Sequence, residues 1–343
     1  MYPGKYAEQN PDRSAFVMAA TGERVSYQEF EARSNRVAHY LADKGLGFQD
    51  HYSIFMENNN RYLESCAAGE RSGLYFTCIN SFLTSDELAY IINNSESQIL
   101  ITSMSKLEAA QEALAQCTAI KEVLVVGAGD ADLPEGMSDF ASTLSKYPET
   151  PLERELLGAA MLYSSGTTGR PKGIVRPLPE QSPNEPLPVI GFLSGLWRYR
   201  EDMIYLSPAP LYHSAPQAAV GLTLRMGGTV VIMERFDPAD YLRFVEEYQV
   251  SHSQLVPTMF SRMLKMPEED RTKYDLSSLE VAVHAAAPCP VLVKQQMIDW
   301  WGPIIHEYYG ATEGLGFAAC DSAEWLAHPG TVGKIVLGEL SVL

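Results

Sequence analysis

No run of about 18 apolar residues occurs anywhere in the 343-residue chain, so no segment reads as a membrane-spanning helix. The first residues, MYPGKYAEQNPDRSAF, lack a basic stretch followed by an apolar one, which argues against a secretory leader. Cysteine is sparse: the five residues Cys66, Cys78, Cys117, Cys289 and Cys320 show no Cys-x-x-Cys spacing. That suggests neither a zinc site nor a disulfide framework, and reduced cytosolic thiols fit best. Seven histidines are dispersed with no His-Glu-x-x-His, so no metalloprotease helix is present. A Lys/Arg run is also missing. With a formal net charge of −17, the chain repels nucleic-acid phosphates and anionic lipid headgroups. The expectation is a soluble cytoplasmic protein with a solvated acidic surface, no nucleic-acid partner and no membrane span.

What is present is enough apolar sequence, 46% of residues against 20% charged, to bury a large core. Short β-branched or apolar runs alternate with helix-period segments, the pattern of an α/β protein with two doubly wound, largely parallel sheets and packed helices. Strands are predicted at 52–56, 75–79, 98–102 and 122–126. Thr84 followed three residues later by Glu87 is a capping box that opens a helix to about residue 93, and 105–116 reads as an Ala-rich helix. Segment 127–151, rich in Gly, Pro, Asp and Ser, is the candidate boundary or surface excursion. Further strands are predicted at 160–163, 203–206, 229–233, 253–256, 280–283 and 304–308. Between 176 and 188, RPLPEQSPNEPLP carries five prolines and is expected to be an exposed loop. The expected organisation is one large domain with subregions of about 1–158 and 159–330, and residues 331–343 beginning a β-rich subdomain.

Chemistry first appears at 163–173, YSSGTTGRPKG, which follows an apolar strand. Hydroxyls at Ser164, Ser165, Thr167 and Thr168 can bond phosphate oxygens. Gly166, Gly169 and Gly173 let backbone N–H groups approach a polyanion without a Cβ in the way. Lys172 adds a mobile positive charge. The spacing differs from Gly-x-x-x-x-Gly-Lys-Ser/Thr, so a Walker-type loop is disfavoured. This segment resembles the hallmark phosphate loop of the adenylate-forming superfamily of acyl- and aryl-CoA synthetases, luciferases and nonribosomal adenylation domains. The resemblance implies that residues 164–172 wrap the β- and γ-phosphates of ATP.

Three further segments extend it. YYGATEG at 308–314 is similar to the family's Tyr-Gly-x-Thr-Glu motif. Carried over, Tyr308, Tyr309, Gly310 and Ala311 border the nucleotide with Tyr309 on adenine, Thr312 bonds the α-phosphate, and Glu313, with Ser165, holds Mg2+. These residue types suit the task, because a purine wants an aromatic face and a hard cation wants oxygen. HAAAPC at 284–289 stands where relatives carry a glycine-rich adenine turn, which assigns Ala286, Ala287 and Pro288 to the nucleotide. Ala285 and Ala286 replace glycine there, and a positive φ at an alanine costs energy. PAPLYHSAP at 208–216 resembles the segment whose His borders the acyl site, which marks His213.

Together with the flanking segments, these motifs look most like bacterial acyl-CoA synthetases related to fatty-acid and bile-acid CoA ligases. The implied function is ATP- and Mg2+-dependent activation of a hydrophobic carboxylic acid to an acyl-adenylate for transfer to coenzyme A. Thr168, Lys172, His213, Thr312 and Glu313 are the implied catalytic set. Relatives continue past the equivalent of Gly333 to a ribose-binding Asp and a small C-terminal domain with an adenylation lysine, so impaired activity is expected of these residues alone. The competing readings are a catalytically silent ATP- or acyl-binding module and an adenylate-forming enzyme with a different acceptor. Homodimerisation is left open.

Overall fold

The computed structural model describes residues 1–164, 170–314 and 316–339. Two parallel sheets dominate it. The six-stranded sheet runs Met137–Asp139, Glu122–Val126, Ile99–Ser103, His51–Phe55, Tyr75–Cys78, Ala159–Ala160, every neighbouring pair parallel. The nine-stranded sheet has a parallel interior, Ile305–Gly310, Val281–His284, His252–Leu255, Ile204–Ser207, Thr229–Ile232, Ser14–Met18. Antiparallel strands close its edges: Arg24–Ser26 at one end, Phe317–Cys320 and Lys334–Leu337 at the other. Strands such as Ile99–Ser103 and Val281–His284 are buried along their whole length, as expected of strands covered on both faces by crossover helices. No helix of the described residues is long and apolar enough to cross a membrane.

Local signals explain several boundaries. The box at Thr84 is complete: its side chain accepts from the Glu87 amide while Glu87 accepts from the Thr84 amide, opening helix Ser85–Asn94. A second box, Ser26 with Glu29, opens the 17-residue helix Tyr27–Asp43. The proline-rich segment is irregular until Pro188 begins helix Pro188–Trp197, where its missing N–H costs no helical bond.

The sheets divide the chain differently from the expected subregions. Residues 127–151 are not a break between sheets: they are largely exposed, and within them Met137–Asp139 joins the edge of the six-stranded sheet. Gly127, Gly129 and Gly136, all at positive φ, turn the chain back so that Met137–Asp139 pairs with Glu122–Val126, and Phe140 and Leu144 anchor the following helix in the core. The sheets do not separate at 158/159 either. The early hairpin of Ser14–Met18 and Arg24–Ser26 joins the nine-stranded sheet, whereas Ala159–Ala160 pairs with Tyr75–Cys78 in the six-stranded one. Strand Lys334–Leu337 pairs antiparallel with Phe317–Cys320 at the edge of the nine-stranded sheet. One contiguous core runs from Tyr52 and Phe76 through Phe16 to Tyr205 and Val283, so the sheets share their packing. The helix predicted at 105–116 is a short 3-10 turn followed by Leu107–Leu114.

Candidate active site

Strands Ile204–Ser207, His252–Leu255, Val281–His284 and Ile305–Gly310 lie side by side and parallel, so their C-terminal ends face one edge. Open α/β sheets bind ligands at such an edge. Three of the sequence motifs leave these strand ends: 208–216, 284–289 and 308–314.

After His284 the chain enters a tight turn with Ala286 at φ 73, in the left-handed region, and Ala286, Ala287 and Pro288 are exposed. An L-residue there costs about 1–2 kcal/mol. The glycine-like conformation is thus kept without the glycine. On the neighbouring strand the two tyrosines diverge. Tyr308 turns inward: its ring stacks on Phe317 with centroids 4.9 Å apart, Trp197 lies 5.4 Å away, and its hydroxyl accepts a 2.9 Å hydrogen bond from Gln254. Burial raises its pKa. Tyr309 is 68% exposed at the end of the strand. The structure therefore gives the Tyr308 ring a packing role and leaves Tyr309 as the open aromatic surface.

Beyond Gly310, the Gly314 amide donates to the Ala311 carbonyl, closing a turn that exposes Glu313. Thr312 is where segments meet. Its hydroxyl lies 3.4 Å from that of Ser214, the first residue of helix Ser214–Arg225, and its carbonyl accepts a 2.6 Å bond from Arg176 Nη2. His213 caps the same helix by position, with its ring exposed and 4.4 Å from that of Tyr212. Desolvation by the surrounding protein lowers its pKa, favouring the neutral imidazole.

The phosphate-loop segment begins and ends in a hairpin, Leu162–Ser164 with Lys172–Ile174, in which Ser164 faces Lys172. The first sheet's periphery anchors it. Tyr163 donates to Asn94, Tyr90 to the Pro171 carbonyl and Tyr75 to the Arg176 carbonyl, and the Arg170 guanidinium lies 5.0 Å over the Tyr90 ring. Ser165, Gly166, Thr167, Thr168 and Gly169 lie outside the described residues. Lys172 is exposed, and among the described residues the side chains of Lys172 and Glu313 make no hydrogen bond or ion pair with another candidate. No cluster of three or more His, Cys, Asp or Glu able to hold a metal is found among the described residues.

Sequence reasoning missed Arg176 and Gln254. The only trace of Arg176 was a cation at the head of a proline-rich loop, and nothing in the pattern marked Gln254, a polar residue inside a buried strand.

Residues 5–343 match the family described as AMP-binding enzyme. The chain belongs to that family. This AMP-binding enzyme sequence is 28% identical over 282 residues to 4-coumarate–CoA ligase 1 of Petroselinum crispum, covering 81% of this chain and 50% of that protein. It is 27% identical over 291 residues to the medium/long-chain-fatty-acid–CoA ligase FadD8 of Mycobacterium tuberculosis, covering 82% and 49% respectively. The chain thus spans about half the length of the curated relatives it matches. Its fold matches the inhibitor-bound N-terminal domain of FACL13 from Mycobacterium tuberculosis with a TM-score of 0.81 at 21% identity, over 97% of this chain and 81% of that one.

Proposed function

We propose that this chain binds Mg·ATP and a hydrophobic carboxylic acid, and serves an AMP-forming acid:CoA ligase reaction. In that reaction a carboxylate oxygen attacks the α-phosphorus, the bond to pyrophosphate breaks, and an acyl-adenylate forms. The thiol of coenzyme A then attacks the acyl carbon, and AMP leaves with the anhydride oxygen. Because the chain spans about half the length of its curated relatives, the two-step reaction is part of the proposal and not a property assigned to these residues alone.

The observation that carries the reading is the convergence on Thr312. The hairpin arm reaches its carbonyl through Arg176, the 208–216 segment reaches its hydroxyl through Ser214, and the exposed Tyr309 lies three residues before it. The residues present fit an adenine nucleotide. The left-handed Ala286 turn keeps an open, small-residue surface beside an exposed aromatic ring. Lys172 and the loop hydroxyls are suited to the β- and γ-phosphates, and Thr312 to the α-phosphate. Glu313 and Ser165 would hold Mg2+, which supplies charge neutralisation between phosphates when bound. His213, at the head of the helix, is suited to border the acid. The relatives' names, a 4-coumarate ligase and a medium/long-chain-fatty-acid ligase, support an aryl or aliphatic hydrophobic acid.

Calorimetric titration tests this. Millimolar Mg·ATP is expected to give measurable heat and to raise the melting temperature by a few degrees, since a ligand at 100 times its Kd stabilises by about 2.7 kcal/mol. Glu313→Gln should leave the apo melting temperature unchanged and shrink the ATP-dependent increment. Absence of heat and shift with the parent protein rejects the nucleotide assignment, and unfolding by Glu313→Gln rejects the metal role.

A further inference from the structure

A charged cluster is buried beneath the 285–290 turn. Lys294, in helix Val291–Trp301, has no solvent exposure, and its Nζ donates to Glu307 Oε2 at 2.5 Å. Glu307 is 5% exposed and sits on strand Ile305–Gly310, directly opposite His284 on strand Val281–His284. Nε2 of His284 lies 3.4 Å from the same carboxylate oxygen, and neither ring nitrogen makes a hydrogen bond among the described residues. From another side Trp325 covers the ammonium, with Nζ 5.1 Å from the ring centroid. Burial, and then the Lys294 cation, depress the His284 pKa to about 3, so that ring is neutral and the cluster balances one ammonium against one carboxylate.

Buried ion pairs are poor sources of stability, because desolvating both charges offsets most of their attraction, and a well-packed apolar replacement is often as stable. Such a pair can instead fix one geometry, since displacing either partner strands a charge in a low dielectric. Its placement here is specific. His284 immediately precedes the turn, Lys294 lies in the first helical turns after it, and Glu307 lies two residues before Tyr309. The chain between the two anchors contains Ala286 at φ 73, a conformation that persists only where its surroundings hold it.

We propose that Lys294 and Glu307 are positioning residues that hold the 285–290 turn and Tyr309 in a fixed relation, so that both can meet one adenine. They act through the backbone and touch no substrate. This rests on the reading of the turn and Tyr309 as the adenine site.

The test uses the double variant Lys294→Met with Glu307→Gln, which removes both charges and keeps the volume, because Lys294→Met alone strands a carboxylate and can prevent folding. Three quantities are measured: melting temperature, hydrogen exchange of amides 285–293, and Kd for Mg·ATP beside Kd for Mg·tripolyphosphate, which lacks the base. The expected result is a melting temperature within a few degrees of the parent's, exchange at the turn at least tenfold faster, ATP affinity about tenfold weaker, and tripolyphosphate affinity unchanged. The reversed pair, Lys294→Glu with Glu307→Lys, should restore ATP affinity at least in part. Unchanged exchange at the turn overturns the proposal, as does a parallel loss of ATP and tripolyphosphate binding. A parent protein that binds ATP no more tightly than tripolyphosphate refutes the adenine reading itself, whatever the exchange data show.

Discussion

At Ala286 the backbone requirement and the residue type conflict. Alanine at φ 73 carries about 1–2 kcal/mol of strain, whereas glycine there carries none but loses about 0.4–1 kcal/mol through the greater freedom of its unfolded chain. Ala286→Gly should therefore stabilise the protein by up to about 1.5 kcal/mol. Ala286→Val adds a β-branch in the same region and should destabilise by more than that. Urea midpoints for both variants decide it, and a destabilising Ala286→Gly would mean that the turn is not strained. Glu64 provides the second residue-scale prediction. It is 1% exposed, with Arg61 at 3.4 Å and Arg33 at 3.9 Å, and burial raises its pKa from 4.5 to about 7 in spite of both arginines. Between those values the native state holds a proton that the unfolded chain has lost, so stability falls as pH rises through the window and levels off above it. Glu64→Gln removes this dependence. It should be more stable than the parent by on the order of 2–3 kcal/mol at pH 8 and nearly equal to it at pH 4, and equal gains at both values would show that titration is not the cause.

Elements with a local cause were legible. Glu122–Val126 was readable to the residue because an apolar β-branched run is bounded by turn residues, and Ser85–Asn94 because both halves of its capping box lie within four positions. The same kind of signal, Ser26 with Glu29, was available for Tyr27–Asp43 and went unused. Pairing was not legible. Ser14–Met18 lies beside Thr229–Ile232, more than 200 residues away, and no periodicity carries that information. Nor could spacing show that the chain changes sheets at Met161, between the two-residue strand Ala159–Ala160 and the hairpin strand Leu162–Ser164. In the candidate site, the motifs marked three segments that the fold brings to one sheet edge, but which way each side chain faces was not legible from them. Alternation along Ile305–Gly310 sends adjacent tyrosines to opposite environments, and only neighbouring strands show which one is inside. Arg176, Gln254 and the Lys294–Glu307 pair were illegible for the same reason: each is defined by a partner far along the chain or across a strand.

Across the whole molecule, one amide joins the two sheets at the site. Asn58 follows strand His51–Phe55 of the six-stranded sheet and is only 8% exposed. Its Nδ2 donates to the carbonyls of Ala209 at 3.2 Å and Met233 at 2.9 Å, and its Oδ1 accepts from the Leu211 amide at 2.9 Å. Ala209 and Leu211 belong to the segment that leads to His213, and Met233 follows strand Thr229–Ile232 of the nine-stranded sheet. Asn58→Ala leaves one buried N–H and two buried carbonyls without this partner. Each unsatisfied group costs about 1–3 kcal/mol, and water entering the space left by the side chain recovers part of it, so a loss of about 2–4 kcal/mol is expected. Asn58→Asp separates hydrogen bonding from volume. An ionised carboxylate still accepts from Leu211 but sets its second oxygen against two carbonyl oxygens, so at pH 7 it should be at least as damaging as alanine. Protonation supplies one donor, and the deficit of Asn58→Asp relative to the parent should therefore shrink as pH falls through the carboxyl titration, while that of Asn58→Ala stays constant. Because one core spans both sheets, each variant should unfold in a single transition at a lower temperature, without a separate early melting of either sheet. Calorimetry at pH 5 and pH 7 reads all of this, and an Asn58→Ala protein within 0.5 kcal/mol of the parent by the same rough scale would show that the shared core alone holds the sheets together.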